Sequence, residues 1–475
     1  MPDSNTTSAS PEALLELGEG CLLSDTSKRS TLRMPPHHLL THGIVVGMTG
    51  SGKTGLVMVL AEEALRAKVP TLIVDVKGDL PNLLLAYPSF DPSHFLPFAA
   101  SVRRPNETRS NEAIASELAD SRKQGLLEAG IDEPALRAFD ASVDVRVITP
   151  GSSAGEPLHL LSSLERRSPR WDTDPEAAHA SLDAAVSLVL RLLGREPDPA
   201  KNAEHVLLST LAERRLLRGD PADVASLIAD VEEPPIERLG AMQVDDYISP
   251  HARHELAAAL NSLLASTALA SWRRGATLDV DSWLTPRDGR TPAVIVSVAH
   301  LDDEERALVL GVLLEEVLAW TRSLPGSQSL RAMVLFDEVY GFLPPHPANP
   351  PTKRPIVALM KQARAFGVGV VLATQNPMDL DYRALSNAGV WCIGRLQTDA
   401  DRARVVEGLS GVSVKKRGEG AALAGVIKKL APRWFVLRDA HGGGQLLLLR
   451  PRQTIAWMRG PMTRGELVRA VGRPR

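Results

Sequence analysis

The sequence predicts an α/β fold: a doubly wound, mostly parallel sheet carrying a large all-helical insertion. Three observations predict it. Short apolar, β-branched runs such as Gly43-Ile44-Val45-Val46, Thr71-Leu72-Ile73-Val74 and Met333-Val334-Leu335-Phe336 alternate with helix-forming stretches, as crossover-linked parallel strands do. The runs lack polar alternation, so each strand is buried on both faces. Between about 165 and 285, apolar residues recur instead at helical spacing, with Leu182, Ala185, Val186 and Val189 on one stripe and Leu256, Leu260, Leu263 and Leu264 on another.

The elements follow in order. Residues 1–40 are a lead-in: a polar, disordered Met1–Ser8 tail, then a strand or loop at Leu32-Arg33-Met34-Pro35-Pro36. Residues 41–164 form the first part of the sheet domain. Gly43–Val46 is its first strand, Leu56–Leu65 a helix, and Thr71–Asp75 a second strand ending in Val76-Lys77-Gly78-Asp79-Leu80. An apolar run that ends in an acid and a glycine suits a parallel strand whose carboxyl end faces a ligand crevice. A polar helical stretch with Arg103-Arg104 and Arg109 leads to a strand at Val145–Gly151.

The helical insertion occupies 165–288, with breaks at Asp198-Pro199 and Glu233-Pro234-Pro235. The second part of the sheet domain spans 289–400. It holds strands at Ala293–Val298, Ala332–Phe336, Gly369–Ala373 and, last, Val390–Ile393, with helices over about 303–323 and 353–366. Residues 401–475 hold a small hairpin around Gly442-Gly443-Gly444 and a terminal helix opened by the capping box Thr463-Arg464-Gly465-Glu466.

The 475 residues are 44% hydrophobic, enough for a large core, and carry a formal charge of −3. A whole-surface nucleic-acid binder would be basic, so any nucleic-acid contact must be local. The two cysteines, Cys21 and Cys392, exclude a disulfide scaffold or a cysteine zinc site. The twelve histidines show no metal-ligand spacing. No secretory signal and no run of about 18 apolar residues is visible, so the chain reads as cytoplasmic without membrane insertion.

The chemistry concentrates in Gly47-Met48-Thr49-Gly50-Ser51-Gly52-Lys53-Thr54, which fits G-x-x-x-x-G-K-[ST] between a strand and a helix. Glycines let the backbone turn its N–H groups inward around a phosphate chain, and the helix N-terminus adds about half a positive charge. Met48, Thr49, Gly50, Ser51 and Gly52 would form the cradle. Lys53 would reach the β- and γ-phosphates, and the Thr54 hydroxyl would ligate Mg²⁺. The alternative is a chance glycine loop.

Met333–Phe336 ends in Asp337-Glu338. Beside a phosphate loop, Asp337 would hold Mg²⁺ and Glu338 would act as general base toward water. Gln375, at the end of the next strand, is placed to touch the γ-phosphate or its water; the alternative is a turn residue. Arg364 precedes that strand and Arg395 ends the last one. An arginine offered to a neighbour's γ-phosphate accelerates hydrolysis by about 10³–10⁵. For either arginine the alternative is a surface ion pair.

Together these segments resemble the HerA/FtsK superfamily of ring ATPases, in its HerA-like and conjugation-ATPase-like branch. The resemblance rests on Gly47–Thr54, Val74–Leu80, Phe336-Asp337-Glu338, Gly367–Pro377 and Arg459-Gly460-Pro461-Met462-Thr463. It implies a RecA-like fold, a homo-hexameric ring, ATP with Mg²⁺, and DNA drawn through the pore. It also implies that Arg364 is the arginine offered in trans and Gln375 the sensor amide. Two departures stand out. About forty residues precede the loop, too few for the β-barrel usual in HerA helicases, and the helical block exceeds a minimal core.

Two functions follow as expectations: a DNA translocase, with a nuclease or other effector as partner, or a regulatory or assembly ATPase that acts on a protein partner without moving DNA. A nucleotide kinase is the weaker third, because it needs neither the Asp337-Glu338 pair nor an arginine in trans. The basic clusters Arg273-Arg274 and Lys415-Lys416-Arg417 favour the first unless they are solvated faces.

Overall fold

Apolar runs at Gly43–Val46 (β3), Thr71–Asp75 (β4), Thr291–Ser297 (β6) and Phe366–Thr374 (β8) are buried along nearly their whole length. Only a sheet covered on both faces allows that. A computed structural model describes residues 13–103, 106, 108–195, 202–266, 272–410 and 419–472. The Met1–Ser8 tail, Arg104, the Asp198-Pro199 break and the Lys415–Arg417 cluster lie outside the described residues.

The main sheet has eleven strands. The others are Leu15–Leu22 (β1), Asp25–Met34 (β2), Val143–Ile148 (β5), Ser327–Asp337 (β7), Val390–Ile393 (β9), Phe435–Asp439 (β10) and Leu446–Pro451 (β11). Their spatial order is β2-β1-β11-β10-β9-β3-β8-β7-β4-β6-β5. From β9 to β5 every pairing is parallel; from β9 to β2 every pairing is antiparallel. The doubly wound, mostly parallel sheet is therefore present.

Three sequence expectations need correction. The insertion is not all-helical: it carries a short antiparallel pair at Arg238–Leu239 and Met242–Gln243 and a strand at Ala276–Thr277, two-residue pieces too short to show a strand period. Val390–Ile393 is not the last strand: the hairpin around Gly442–Gly444 is β10 and β11, and both extend the main sheet. The lead-in likewise supplies an edge hairpin, with β1 paired to β11. The reason is legible afterwards. Strand β2 reads Asp-Thr-Ser-Lys-Arg-Ser-Thr along its exposed stretch, a charged edge that blocks further pairing and hides the strand pattern.

Alternate residues of each central strand face opposite cores, as the two-residue period requires. Ile44, Leu72, Val74, Val334 and Phe336 face one core; Val45, Ile73, Met333 and Leu335 face the other. The second core is closed by the helix Lys53–Arg66 (α1). The first is closed by Asp303–Ser323 (α2) and Lys353–Gln362 (α3), together with the insertion helices. Leu182, Ala185, Val186, Val189, Leu256 and Leu260 share that core with Leu310 and Val317. The insertion thus packs on the sheet through α2. The helix expected over 353–366 stops at Gln362, and a 3₁₀ turn at Ala363–Ala365 leads straight into β8. No helix among the described residues is long and apolar enough to cross a membrane.

Helix α1 is anchored by a buried ionic cluster. Arg452, just after β11, donates to Glu62 Oε2 at 2.8 Å and to Glu63 Oε1 at 2.7 Å. The backbone N–H groups of Ile455 and Ala456 also donate to Glu62. Both carboxylates are buried, and burial pushes Glu62 above its ordinary range against the pull of Arg452. Breaking a buried pair leaves an unpaired charge, so Arg452→Met should destabilise the fold by about 3–5 kcal/mol. Arg66→Met, which removes only a half-exposed partner of Glu63, should cost under about 1 kcal/mol. Urea unfolding of both variants checks this; equal losses would contradict the anchoring role of Arg452.

Candidate functional site

The loop between β3 and α1 is pinned from both sides. Gly47 N–H donates to the Thr374 carbonyl at the end of β8 (3.3 Å), and Met48 N–H to the Arg395 carbonyl beyond β9 (2.9 Å). Gly52 has φ +95° where it enters α1, a left-handed conformation that favours glycine. A Cβ at Gly47 would lie 2.5 Å from Ser51 Oγ and 3.1 Å from Ser51 Cβ, so any larger residue would have to displace Ser51 from the bend. No side chain caps α1, which leaves its first N–H groups directed at the loop's hollow. Such a hollow takes an anion, above all a phosphate.

Lys53 opens α1 with only 6% of its surface exposed. Burial lowers its pKa, while Glu338 and Asp337 oppose that by stabilising the cation. The Thr54 hydroxyl follows on the half-buried side of the same turn.

Strand β7 delivers Asp337 and Glu338 to the same end of the sheet. In the β7–β4 register Asp337 stands opposite Asp75. Burial, with Asp75 adding repulsion, pushes Asp337 up to about 6. Burial likewise pushes Asp75 up to about 6, although Ser297 Oγ (2.7 Å) and the backbone N–H groups of Gly78 and Leu80 donate to it. Asp337 Oδ2 is buried without a hydrogen-bond partner, and so is Ser51 Oγ. An orphaned carboxylate oxygen beside the Thr54 turn fits a hard divalent cation, which takes oxygen ligands.

Glu338 adopts φ +59°, a left-handed backbone that a non-glycine residue rarely takes. Its carboxylate is fully engaged. Oε2 accepts from Lys77 Nζ at 2.5 Å and from Gln375 Nε2 at 2.8 Å; Oε1 faces the Gln375 N–H at 3.4 Å. Burial raises the Glu338 pKa, but these hydrogen bonds and the Lys77 charge bring it net below the ordinary carboxylate range. Gln375 in turn accepts from Thr49 Oγ1 at 2.5 Å. The amide thus spans the glycine loop and the acid strand rather than closing a turn.

The two arginines part company. The Arg395 carbonyl touches the loop of its own chain, while its side chain is exposed. Arg364 is exposed ahead of β8, at the opposite end of the strand from Thr374. The nine residues of β8 separate it from the loop by roughly 30 Å. Arg273 pairs with Glu165, the fate of an ordinary surface cation. The closing Arg459–Thr463 segment docks on the turn after β4: Met462 N–H donates to the Gly78 carbonyl and Asn82 Nδ2 to the Gly460 carbonyl. Sequence reasoning assigned no role to Asp75 or Lys77. The signals in the sequence are the acid and glycine ending the β4 run and their place in the Val74–Leu80 motif.

Residues 21–88 match the family model described as Helicase HerA-like C-terminal. No curated protein matches the chain. The chain is similar to VirB4 of Thermoanaerobacter pseudethanolicus at 12% identity and a TM-score of 0.52, with 92% of this chain and 96% of that one covered. It is also similar to the plasmid coupling protein TrwB in complex with the non-hydrolysable ATP analogue ADPNP, at 13% identity and a TM-score of 0.48, with 96% and 98% covered. The VirB4 likeness shows the fold: a large, mostly parallel sheet with helices, that of P-loop ATPases. The resemblance to the HerA/FtsK superfamily read from the motifs holds.

The raised carboxylates have a consequence for stability. Asp337 titrates near 6 in the folded state and at about 4 in the unfolded chain. Between those values the folded state holds more protons, so this group makes stability fall as pH rises. The cost is absent below about pH 4 and complete somewhat above pH 6. Asp337→Asn should therefore melt higher than the unmutated protein at pH 8 and alike at pH 4, in the absence of nucleotide. A variant that melts lower at pH 8 would contradict the assignment of an uncompensated carboxylate.

Proposed function

We propose that a chain with this HerA-like P-loop ATPase fold hydrolyses ATP in a homo-hexameric ring and uses the energy to translocate or process DNA. The observation that carries the hydrolytic part is convergence. Lys53, Thr54, Asp337, Glu338 and Gln375 come from three strands to one end of the sheet, beside the glycine loop and the uncapped start of α1.

The reaction uses these groups in turn. The N–H groups of Gly50, Gly52, Lys53 and Thr54 and the Lys53 ammonium would hold the triphosphate; the N–H groups of Met48 and Ser51 are instead spent on the Arg395 and Met48 carbonyls, which brace the loop. Thr54 and Asp337 would hold Mg²⁺, which screens the charge shared by the β- and γ-phosphates. Glu338 accepts a proton from water as the water oxygen attacks the γ-phosphorus. The bond to the β,γ-bridging oxygen breaks, leaving ADP and phosphate. Gln375 positions the water and links its departure to Thr49 on the loop.

Arg364 is too far from its own loop to act there, so it serves the γ-phosphate of a neighbouring copy. Arg395 stays beside its own loop. Charge supplied in this way at the transition state is worth about 10³-fold or more in turnover. Arg364→Ala should therefore keep nucleotide affinity and lose most turnover. Glu338→Gln should bind ATP and retain it. Mixing the two inactive proteins should restore part of the phosphate release, because some interfaces then join an intact Glu338 to an intact Arg364. No recovery on mixing, in rings shown to exchange subunits, would contradict the shared site.

For DNA, a ring repeats a few local cations around one axis, so a near-neutral chain can still grip a phosphate backbone. Such contacts ignore sequence and weaken steeply with salt. Double-stranded DNA should stimulate phosphate release at low salt, with little sequence preference, and the stimulation should vanish at high salt. A second reading, a regulatory or assembly ATPase acting with a protein partner, gains from the pairing of Arg273 with Glu165, which removes one candidate DNA contact. An assembled ring that ignores DNA of every form at low salt, yet responds to a co-purifying protein, would favour it.

A further inference from the structure

A cavity of about 180 Å³ lies beside the first turn of α1. One wall is the helix itself: Gly52, Gly55 and Leu56 are spaced three and four residues apart and so share a face. The opposite wall comes from the last quarter of the chain. Arg433 precedes β10, and Gln453, Thr454 and Met458 follow β11. We propose that this cavity takes the purine base of the nucleotide whose phosphates lie in the glycine loop, with the Arg433 guanidinium stacked against it. The proposal rests on the reading of Gly47–Thr54 as a phosphate loop.

Three observations support it. The first is size. The cavity is smaller than the roughly 300–1,000 Å³ that encloses a drug-sized ligand, so it suits one ring system rather than a whole nucleotide. The second is position. Gly55 lies one turn beyond Gly52, about 4.5 Å along the helix axis, so the cavity adjoins the phosphate hollow. Glycine leaves that side open, and a Cβ at Gly55 would meet nothing within 4 Å. The third is chemistry. Leu56 and the Met458 thioether suit the face of an aromatic ring, a guanidinium plane stacks on such a face, and Gln453 and Thr454 offer polar atoms to its edge.

Arg433 is held for this role from several sides. Its backbone is left-handed, with φ +64°, which is uncommon outside glycine. Its N–H donates to the Ser51 carbonyl of the loop at 2.9 Å. Its Nη1 donates to Gln453 Oε1 at 3.2 Å, and its Nη2 to the Pro451 and Arg452 carbonyls at 3.3 and 3.4 Å. The side chain also rests on Gly52, where an added Cβ would come 3.1 Å from Arg433 Cγ. A guanidinium fixed in this way loses little rotamer freedom when a ring stacks on it. One residue thus touches the phosphate loop through its backbone and the cavity through its side chain.

The test is calorimetric binding of ATP and of inorganic tripolyphosphate, each with Mg²⁺, to the full chain and to Gly55→Leu and Arg433→Ala. Tripolyphosphate fills the loop but has no base. Gly55→Leu grows a side chain into the cavity from a helix position that favours leucine over glycine, so its melting temperature should not fall. It should weaken ATP binding by about tenfold, within what the stacking of one base on a side chain is worth. Arg433→Ala should weaken ATP binding by about threefold or more. Tripolyphosphate affinity should stay within about twofold in both variants, because the loop is untouched. Unchanged ATP affinity in Gly55→Leu would overturn the proposal. So would equal weakening of ATP and tripolyphosphate, which would make both positions supports of the loop. The two readings fail differently: an unmutated protein that binds neither ligand sinks the phosphate loop itself, whereas tight tripolyphosphate binding beside variants indifferent to ATP sinks only the base cavity.

Discussion

Two carboxylates that repel each other are held side by side inside this protein, and much of the site is arranged around that fact. The register of β7 on β4 sets Asp337 opposite Asp75, both buried and both pushed up to about 6. Such a pair is costly in a low-dielectric interior. The structure offsets it locally. Ser297 and two backbone N–H groups satisfy Asp75, Lys53 and Lys77 lend positive charge to Asp337, and one oxygen of Asp337 is left with nothing. That orphaned oxygen is the mark of a site that is electrostatically incomplete on its own. It also explains why Lys53, a cation that burial disfavours, is tolerated at the start of α1.

The sheet turns this local imbalance into a site with two ends. Strand β3 lies between β8 and β9, and the loop that follows it is bonded to the last carbonyl of β8 and to the Arg395 carbonyl just beyond β9. A shift in either neighbour is therefore felt at the loop. Helix α1, which begins at that loop, is tied at its other end to β1 and to the segment after β11: Glu16 N–H donates to Glu63, and Arg452 bridges Glu62 and Glu63. The loop sits between two strand ends that it is bonded to and a helix whose far end is fixed by buried ions. Arg364 lies at the opposite end of β8 from the loop.

The central strands were legible because burial on both faces leaves unbroken apolar runs, as in Gly43–Val46 and Thr71–Val74. The glycine loop and Asp337-Glu338 were legible because phosphate chemistry demands those types at that spacing. Other features were not. Strand β2 is polar along its solvent edge, so nothing in its period marks it. Glu62-Glu63 reads as an ordinary helix-surface pair; its partner Arg452 lies 389 and 390 residues away, and only the folded chain brings them together. Lys77 lies within the Val74–Leu80 motif, but its contact with Glu338 spans 261 residues, so its sequence neighbourhood gives it no role. Only the resemblance separates the two arginines in the sequence, because nothing local shows that Arg364 precedes β8 and Arg395 follows β9 at the loop's end of the sheet. In each case the missing information was a long-range juxtaposition set by strand order.

The central claim is that one copy completes the catalytic site of the next. Phosphate release per subunit, measured over a dilution series that spans ring assembly, tests it most directly. The account predicts that turnover per subunit collapses as rings dissociate, while ATP binding to the separated subunits persists through the loop and Lys53. Full turnover per subunit from a monomer in dilute solution would contradict it.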